Sequence, residues 1–113
     1  MIYNPDKWVI VKITDKEDKT HYRVFGSWYG GYLGSDSWRM NSGINGASRE
    51  DHVYSFYGNS GSEYRCNTKT YGTSGYGGSV LNQMIEQHKE ADATITVMPE
   101  HTNWLTQDWG NVK

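Results

Sequence analysis

The stretch KWVIVKITDKEDKTHYRVFGSWYG, residues 7–30, decides the fold class. Lys7–Thr14 reads with period two: Val9, Val11 and Ile13 share one face, and Trp8, Ile10 and Lys12 the other. DKEDK (15–19) is a charged turn. HYRVFGSWYG (21–30) resumes the alternation, with Tyr22 and Val24 opposite Arg23 and Phe25. Two alternating runs joined by a polar turn predict an antiparallel β-hairpin.

The pattern continues outward from the hairpin. YGGYLGSD (29–36) is a glycine-broken loop. SWRMNSGI (37–44) predicts a third strand, with Trp38 and Met40 inward if Arg39 and Asn41 face out. NGASRED (45–51) carries an Asn-Gly turn signal. HVYSFYG (52–58) predicts a fourth strand, NSGS (59–62) a tight turn and EYRCN (63–67) a fifth strand with Tyr64 and Cys66 inward. Beyond Ser79 the period changes. Val80, Leu81, Met84, Ile85 and His88 form one helical stripe, and Asn82, Gln83, Glu86, Gln87, Lys89 and Glu90 the opposite face. Gly78 or Ser79 would cap this helix. ADATITVM (91–98) returns to period two, and Pro99 ends it. The expected fold is α+β: about five antiparallel strands packed on one amphipathic helix, with a final C-terminal strand. The other face of the sheet would be exposed and rich in Tyr, Trp and Arg.

One hundred and thirteen residues suit a single domain, 1–113, whose segment 99–113 is an aromatic-containing tail. A chain of this size buries roughly 65% of its unfolded surface, enough for a core without staples. Cys66 is the only cysteine, so no internal disulfide forms and a reducing compartment is expected. The first twenty residues hold no apolar run long enough for a signal peptide, and no stretch suits a membrane span. A soluble, intracellular protein without membrane contact is the expectation. The net charge of −2 argues against a general polyanion binder, so nucleic acid is not an expected partner. The charge is unevenly spread. All four arginines, Arg23, Arg39, Arg49 and Arg65, lie between residues 23 and 65.

Catalytic and metal patterns are missing from the sequence. His21, His52, His88 and His101 show neither HxxxH nor HExxH spacing, and there is no CxxC, so no metal site is expected. There is no GxSxG. Arg65 beside Cys66 could lower the thiol pKa, but the alternation turns Cys66 inward. No cofactor is called for, and nothing in the residues makes a case for an enzyme.

Binding features are stronger. GSWYGGYLGSDSWRMNSGI (26–44) holds two tryptophans, two tyrosines, five glycines and one arginine in nineteen residues. Trp28, Tyr29, Tyr32 and Trp38 could wall or stack on a ligand, and Arg39 and Arg65 could meet phosphate. The same residues would serve a protein interface. Alternatively, Trp28 and Trp38 form a cross-strand core pair and the glycines relax a turn. TYGTSGYGGS (70–79) leads into the helix, where Gly77, Gly78 and Ser79 could offer backbone and hydroxyl donors to an anion. It could equally be a flexible β-to-α connection, since it is neither a Walker nor a Rossmann pattern. Trp104 and Trp109 would dock on the sheet or on a neighbouring subunit of a homo-oligomer.

The 26–44 stretch, with VYSFYGNSGSEYRC and YGTSGYGGSVLNQMI, resembles small proteins of unassigned function encoded by T4-like tailed bacteriophages, including those of cyanobacteria. The likeness runs from about Lys7 to Ile85 and is strongest over SWRMNSGI (37–44). It implies a viral protein acting in the host cytoplasm and carries no site assignments. The expected function is therefore non-enzymatic capture of a small anionic ligand, such as a nucleotide or a nucleotide-derived defence signal. The alternative is a protein–protein module that inhibits a host protein or belongs to the virion.

Overall fold

The computed structural model describes residues 1–30 and 36–110. Its elements are β1 (Ile2–Tyr3), β2 (Lys7–Thr14), β3 (Thr20–Trp28), β4 (Ser37–Met40), β5 (Ile44–Glu50), β6 (Val53–Gly58), β7 (Glu63–Asn67), α1 (Gly75–Glu90) and β8 (Thr94–Val97). The α+β class holds, but the single sheet does not. Two four-stranded sheets form, ordered β1-β7-β6-β5 and β4-β3-β2-β8.

The hairpin is the centre of the second sheet. β2 pairs with β3 over the whole of Lys7–Thr14, with Lys7 opposite Ser27 and Thr14 opposite Thr20. Its two faces enter two different cores. Val9, Val11 and Ile13 pack with Phe25, Ile95 and Leu81 of α1. Trp8 and Ile10 pack with Tyr22 and Val24 against Ile44, Phe56, Tyr64 and Cys66 of the other sheet. The layers are thus helix, sheet, sheet. This explains the unbroken apolar run WVIV: Trp8, Val9, Ile10 and Val11 are each at most 3% exposed, as expected of a strand buried on both faces. It also overturns the expected open aromatic face, because the second sheet covers it.

Three local expectations are corrected. The Asn45-Gly46 signal marks a register irregularity inside β5 and not a turn. An extra residue in an edge strand is accommodated there as a bulge. The turn falls at Asp51, which adopts the left-handed region at φ 55°. The segment 37–44 is not one strand: after β4 the chain leaves one sheet at Asn41–Gly43 and enters the other at Ile44. The helix starts a turn earlier than the apolar stripe, capped by Ser74, whose Oγ accepts the Gly77 N–H at 2.9 Å.

The tail docks on its own core. Trp104 is 2% exposed and meets Trp8 and Phe56, each at 6.1 Å between ring centroids. Trp109 stacks on Trp104 at 6.3 Å and meets Tyr22 edge-on at 5.4 Å. Both pack within the chain, Trp104 buried and Trp109 half-buried, as in the docking on the sheet that the sequence left open. The Tyr71 hydroxyl sits between β2 and the end of β8, accepting the Ile10 N–H at 3.2 Å and donating to the Met98 carbonyl at 2.6 Å. Burial raises this phenol to about 12. Among the described residues, no helix is long and apolar enough to cross a membrane.

Candidate functional site

The sheet-switching segment builds a cleft. Where β4 ends, Asn41 imitates one more strand residue: its N–H donates to the Val24 carbonyl at 3.2 Å, and its Oδ1 accepts the Val24 N–H at 2.9 Å. That uses one half of the amide. The other half, Nδ2, is buried without a partner. It lies against Gly58, where an added Cβ would come within 3.4 Å of it and 2.8 Å of Ser62 Oγ. A buried donor left unpaired costs roughly 1–3 kcal/mol, and such groups in native proteins call for an explanation.

The turn after β6 is tied to this segment. The Asn59 N–H donates to the Gly43 carbonyl at 3.0 Å, and the Ser60 N–H to Ser42 Oγ at 3.2 Å. Gly43 stands at φ 142°, a conformation that favours glycine, and a side chain there would also displace the Asn59 amide, whose Nδ2 would lie 2.7 Å from its Cβ. Across from these turns lie Arg39 of β4 and Tyr3 of β1. The Arg39 guanidinium is 4.7 Å from the Tyr3 ring, and Tyr3 stacks obliquely on Tyr64 at 4.9 Å. Burial raises the Tyr64 phenol to about 12, with Arg39 acting in the opposite sense.

Two adjoining hollows result, sharing Arg23 and Ser42. The smaller, about 270 Å³, is lined by Tyr3, Arg23, Arg39, Asn41, Ser42, Ser60, Ser62 and Tyr64, with Met40. The larger, about 510 Å³, adds Lys19, Thr20, His21, Asn59 and Gly110. Among the described residues, neither is lined by a carboxylate. Among the described residues the ion pairs are Arg65–Glu63 and Lys89–Glu86, so Lys19, Arg23 and Arg39 have no acidic partner. Arg23 Nε donates to His21 Nε2 at 3.0 Å, which requires that nitrogen to be unprotonated. Burial first, and Arg23 second, hold the His21 pKa below its ordinary value. The chemistry offered is that of an oxyanion receptor: two guanidiniums, an ammonium, serine hydroxyls and phenols around a partly sheltered space.

The residues nominated from sequence do not form one site. Trp28 and Trp38 leave opposite faces of the sheet. Trp28 packs toward the inter-sheet core and donates Nε1–H to the Asn4 carbonyl at 3.0 Å. Trp38 lies on the helix side, stacked on Phe25 at 5.4 Å and 10°. Tyr29 is exposed, its N–H held by Asp6 Oδ2 at 2.9 Å. Tyr32 lies outside the described residues. Arg65 stands on the outer face of the other sheet, paired with Glu63 at 2.6 Å in a depression that also holds Glu50 and Asp51. Gly77 and Gly78 are in the first turn of α1. Their N–H groups are taken by Ser74 Oγ at 2.9 Å and the Ser74 carbonyl at 2.8 Å. Ser79 is exposed on the helix surface. Of the nominated residues that are described, only Arg39 lines the cleft. Arg23, Tyr3, Asn41 and the serines were missed, and the clustering of arginines was the one sequence signal that pointed toward them.

Burial pushes the Cys66 thiol well above its ordinary value, so the neutral form dominates and nucleophilic use is disfavoured. Comparison with family models, curated proteins and solved structures finds no match to this chain.

Proposed function

We propose that the protein is a non-enzymatic binder that sequesters a small anionic ligand of the nucleotide class in the Arg23–Arg39 cleft. The observation that carries this reading is a hollow in which, among the described residues, two guanidiniums stand without acidic partners and no carboxylate lines the wall. An arginine fork binds phosphate through paired charge-assisted hydrogen bonds; Arg39 is exposed and Arg23 half-buried, so both guanidiniums are open to a ligand. The half-buried Tyr3 supplies aromatic surface beside the charge, resting on the buried Tyr64, and takes the part first assigned to Trp28 and Trp38. The phage resemblance suggests a nucleotide-derived defence signal as the natural ligand and the host cytoplasm as its place.

The test is native mass spectrometry and calorimetry with inorganic phosphate and a panel of linear and cyclic nucleotides. Each arginine contact contributes about 1.5–3 kcal/mol, so Arg39→Ala and Arg23→Ala should each weaken binding by about 10- to 150-fold. Arg65→Ala should leave it unchanged. A protein that ignores phosphate and the whole panel overturns the reading. The exposed rings of Tyr29 and Trp38 (54% and 36%) support a second reading, docking of a host protein near the β3–β4 connection. That reading predicts loss of the complex in Trp38→Ala and indifference to Arg23→Ala.

A further inference from the structure

The two sheets have four edges, and three carry features that discourage pairing with another chain. β1 is only two residues long. β5 is bulged at Ile44/Gly46 and ends in Arg49-Glu50. β4 carries Arg39. β8 differs from all three. Its sequence TITV has no charge, proline or glycine, and its register against β2 is unbroken. Edge strands normally need such protection, because their open backbone groups template association.

The open groups on β8 can be identified. The Met98 N–H donates to the Ile10 carbonyl at 2.8 Å, and the Tyr71 hydroxyl bridges the Ile10 N–H to the Met98 carbonyl, so Ile10 and Met98 stand at a hydrogen-bonded position of the ladder. In an antiparallel ladder these alternate with non-bonded pairs. Lys12–Thr96 and Thr14–Thr94 are then bonded, and Val11–Val97 and Ile13–Ile95 are not. The N–H and C=O of Ile95 and Val97 therefore point away from β2. No strand lies on that side, and none of these groups has another backbone partner among the described residues. Thr94, Thr96 and Val97 are exposed. At the two ends, Asp92 at φ 59° and Pro99 turn the chain away, confining the open edge to the strand itself.

We infer that β8 is a self-pairing edge, through which a second copy of this chain joins antiparallel about a two-fold axis at Thr96. This register sets Ile95 opposite Val97 of the second copy, and Val97 opposite Ile95. Each pair exchanges two hydrogen bonds, so all four open groups of each copy are satisfied. The two Thr96 residues face each other as a close non-bonded pair, an arrangement favourable for threonine. On the helix side the exposed part of Val97 meets Ile95 of the second copy, extending the core under α1 across the axis. A two-fold contact requires the same surface on both copies, and an uncharged strand meets itself without repulsion. The result is one continuous eight-stranded sheet. This goes beyond the ligand reading and does not depend on it.

The test is sedimentation velocity of the purified protein from micromolar to millimolar concentration, with a thermal melt to verify each variant's fold. The wild type should move from monomer to dimer as concentration rises. Thr96→Lys sets two like charges face to face and should weaken the dimer by about tenfold or more; Thr96→Glu should do the same. Mixing the two variants should restore association as a salt-sensitive heterodimer. Val97→Pro removes an outward N–H while sparing the bonds to β2, and should also yield monomer. A wild type that stays monomeric at millimolar concentration overturns the inference. So does a Thr96→Lys variant as dimeric as the wild type, or a Lys/Glu mixture that does not associate.

Discussion

Trp104→Ala probes whether the tail belongs to the domain. The indole is 2% exposed and lies among Trp8, Phe56, Tyr71 and Trp109 at 6.0–6.3 Å between ring centroids. Truncating a buried tryptophan costs about 3–5 kcal/mol, combining lost transfer energy with the cavity left behind. Small domains are stabilised by only about 5–15 kcal/mol in total. With a urea dependence of about 2 kcal/mol per molar for a chain of this size, the unfolding midpoint should fall by about 2 M. The assay is urea denaturation followed by far-ultraviolet circular dichroism at two protein concentrations. Trp109, stacked on Trp104, should lose its site, so the remaining tryptophan fluorescence should shift to the red in the folded variant. A midpoint shift below about 0.5 M would refute the packing argument. Unchanged monomer stability with a lost oligomer would return the tryptophan to a subunit contact.

Two further outcomes follow from the helix start and the cleft. Gly75→Ala and Gly77→Ala should act in opposite directions in the same denaturation assay. A Cβ at Gly75 meets nothing within 4 Å, so reduced freedom of the unfolded chain should stabilise by about 0.4–1 kcal/mol; a Cβ at Gly77 would lie 3.0 Å from both Ser27 Cβ and Ser74 Oγ, and overpacking should cost about 1–3 kcal/mol. Equal effects at both positions would refute the tight contact between α1 and β3. Calorimetry with a phosphodiester, whose charge is constant near neutrality, should show tighter binding as pH falls below His21's ordinary 6.5, because the added proton brings a positive charge into the cleft. Stability moves the other way: a depressed histidine pKa means the unfolded chain binds the proton better, so folding weakens as pH falls through the same range. His21→Ala should flatten the binding profile, and an unchanged profile would remove His21 from the site.

Local periodicity determined a good part of this protein. The β2–β3 hairpin, the β7 strand with Tyr64 and Cys66 inward, the amphipathic α1 and the strand before Pro99 are all read from alternation or a helical stripe. Each depends on neighbours two to four residues away, which is the range that side-chain direction along a strand or helix encodes. Alternation states that a strand has two faces and leaves open what covers them. WVIV, apolar on both, was the one local sign of a three-layer arrangement. The tertiary structure decided the rest. It split residues 37–44 between two sheets, made Asn45-Gly46 a bulge, and brought the tail tryptophans into the core. It also made the cleft, because the parallel pairing of Ile2 with Glu63 sets Tyr3 beside Tyr64, and the Asn59–Gly43 bond closes the turn over Asn41. Partners 16 to 61 residues apart are chosen by which pairing buries both sheets at once, and that choice has no periodic signature.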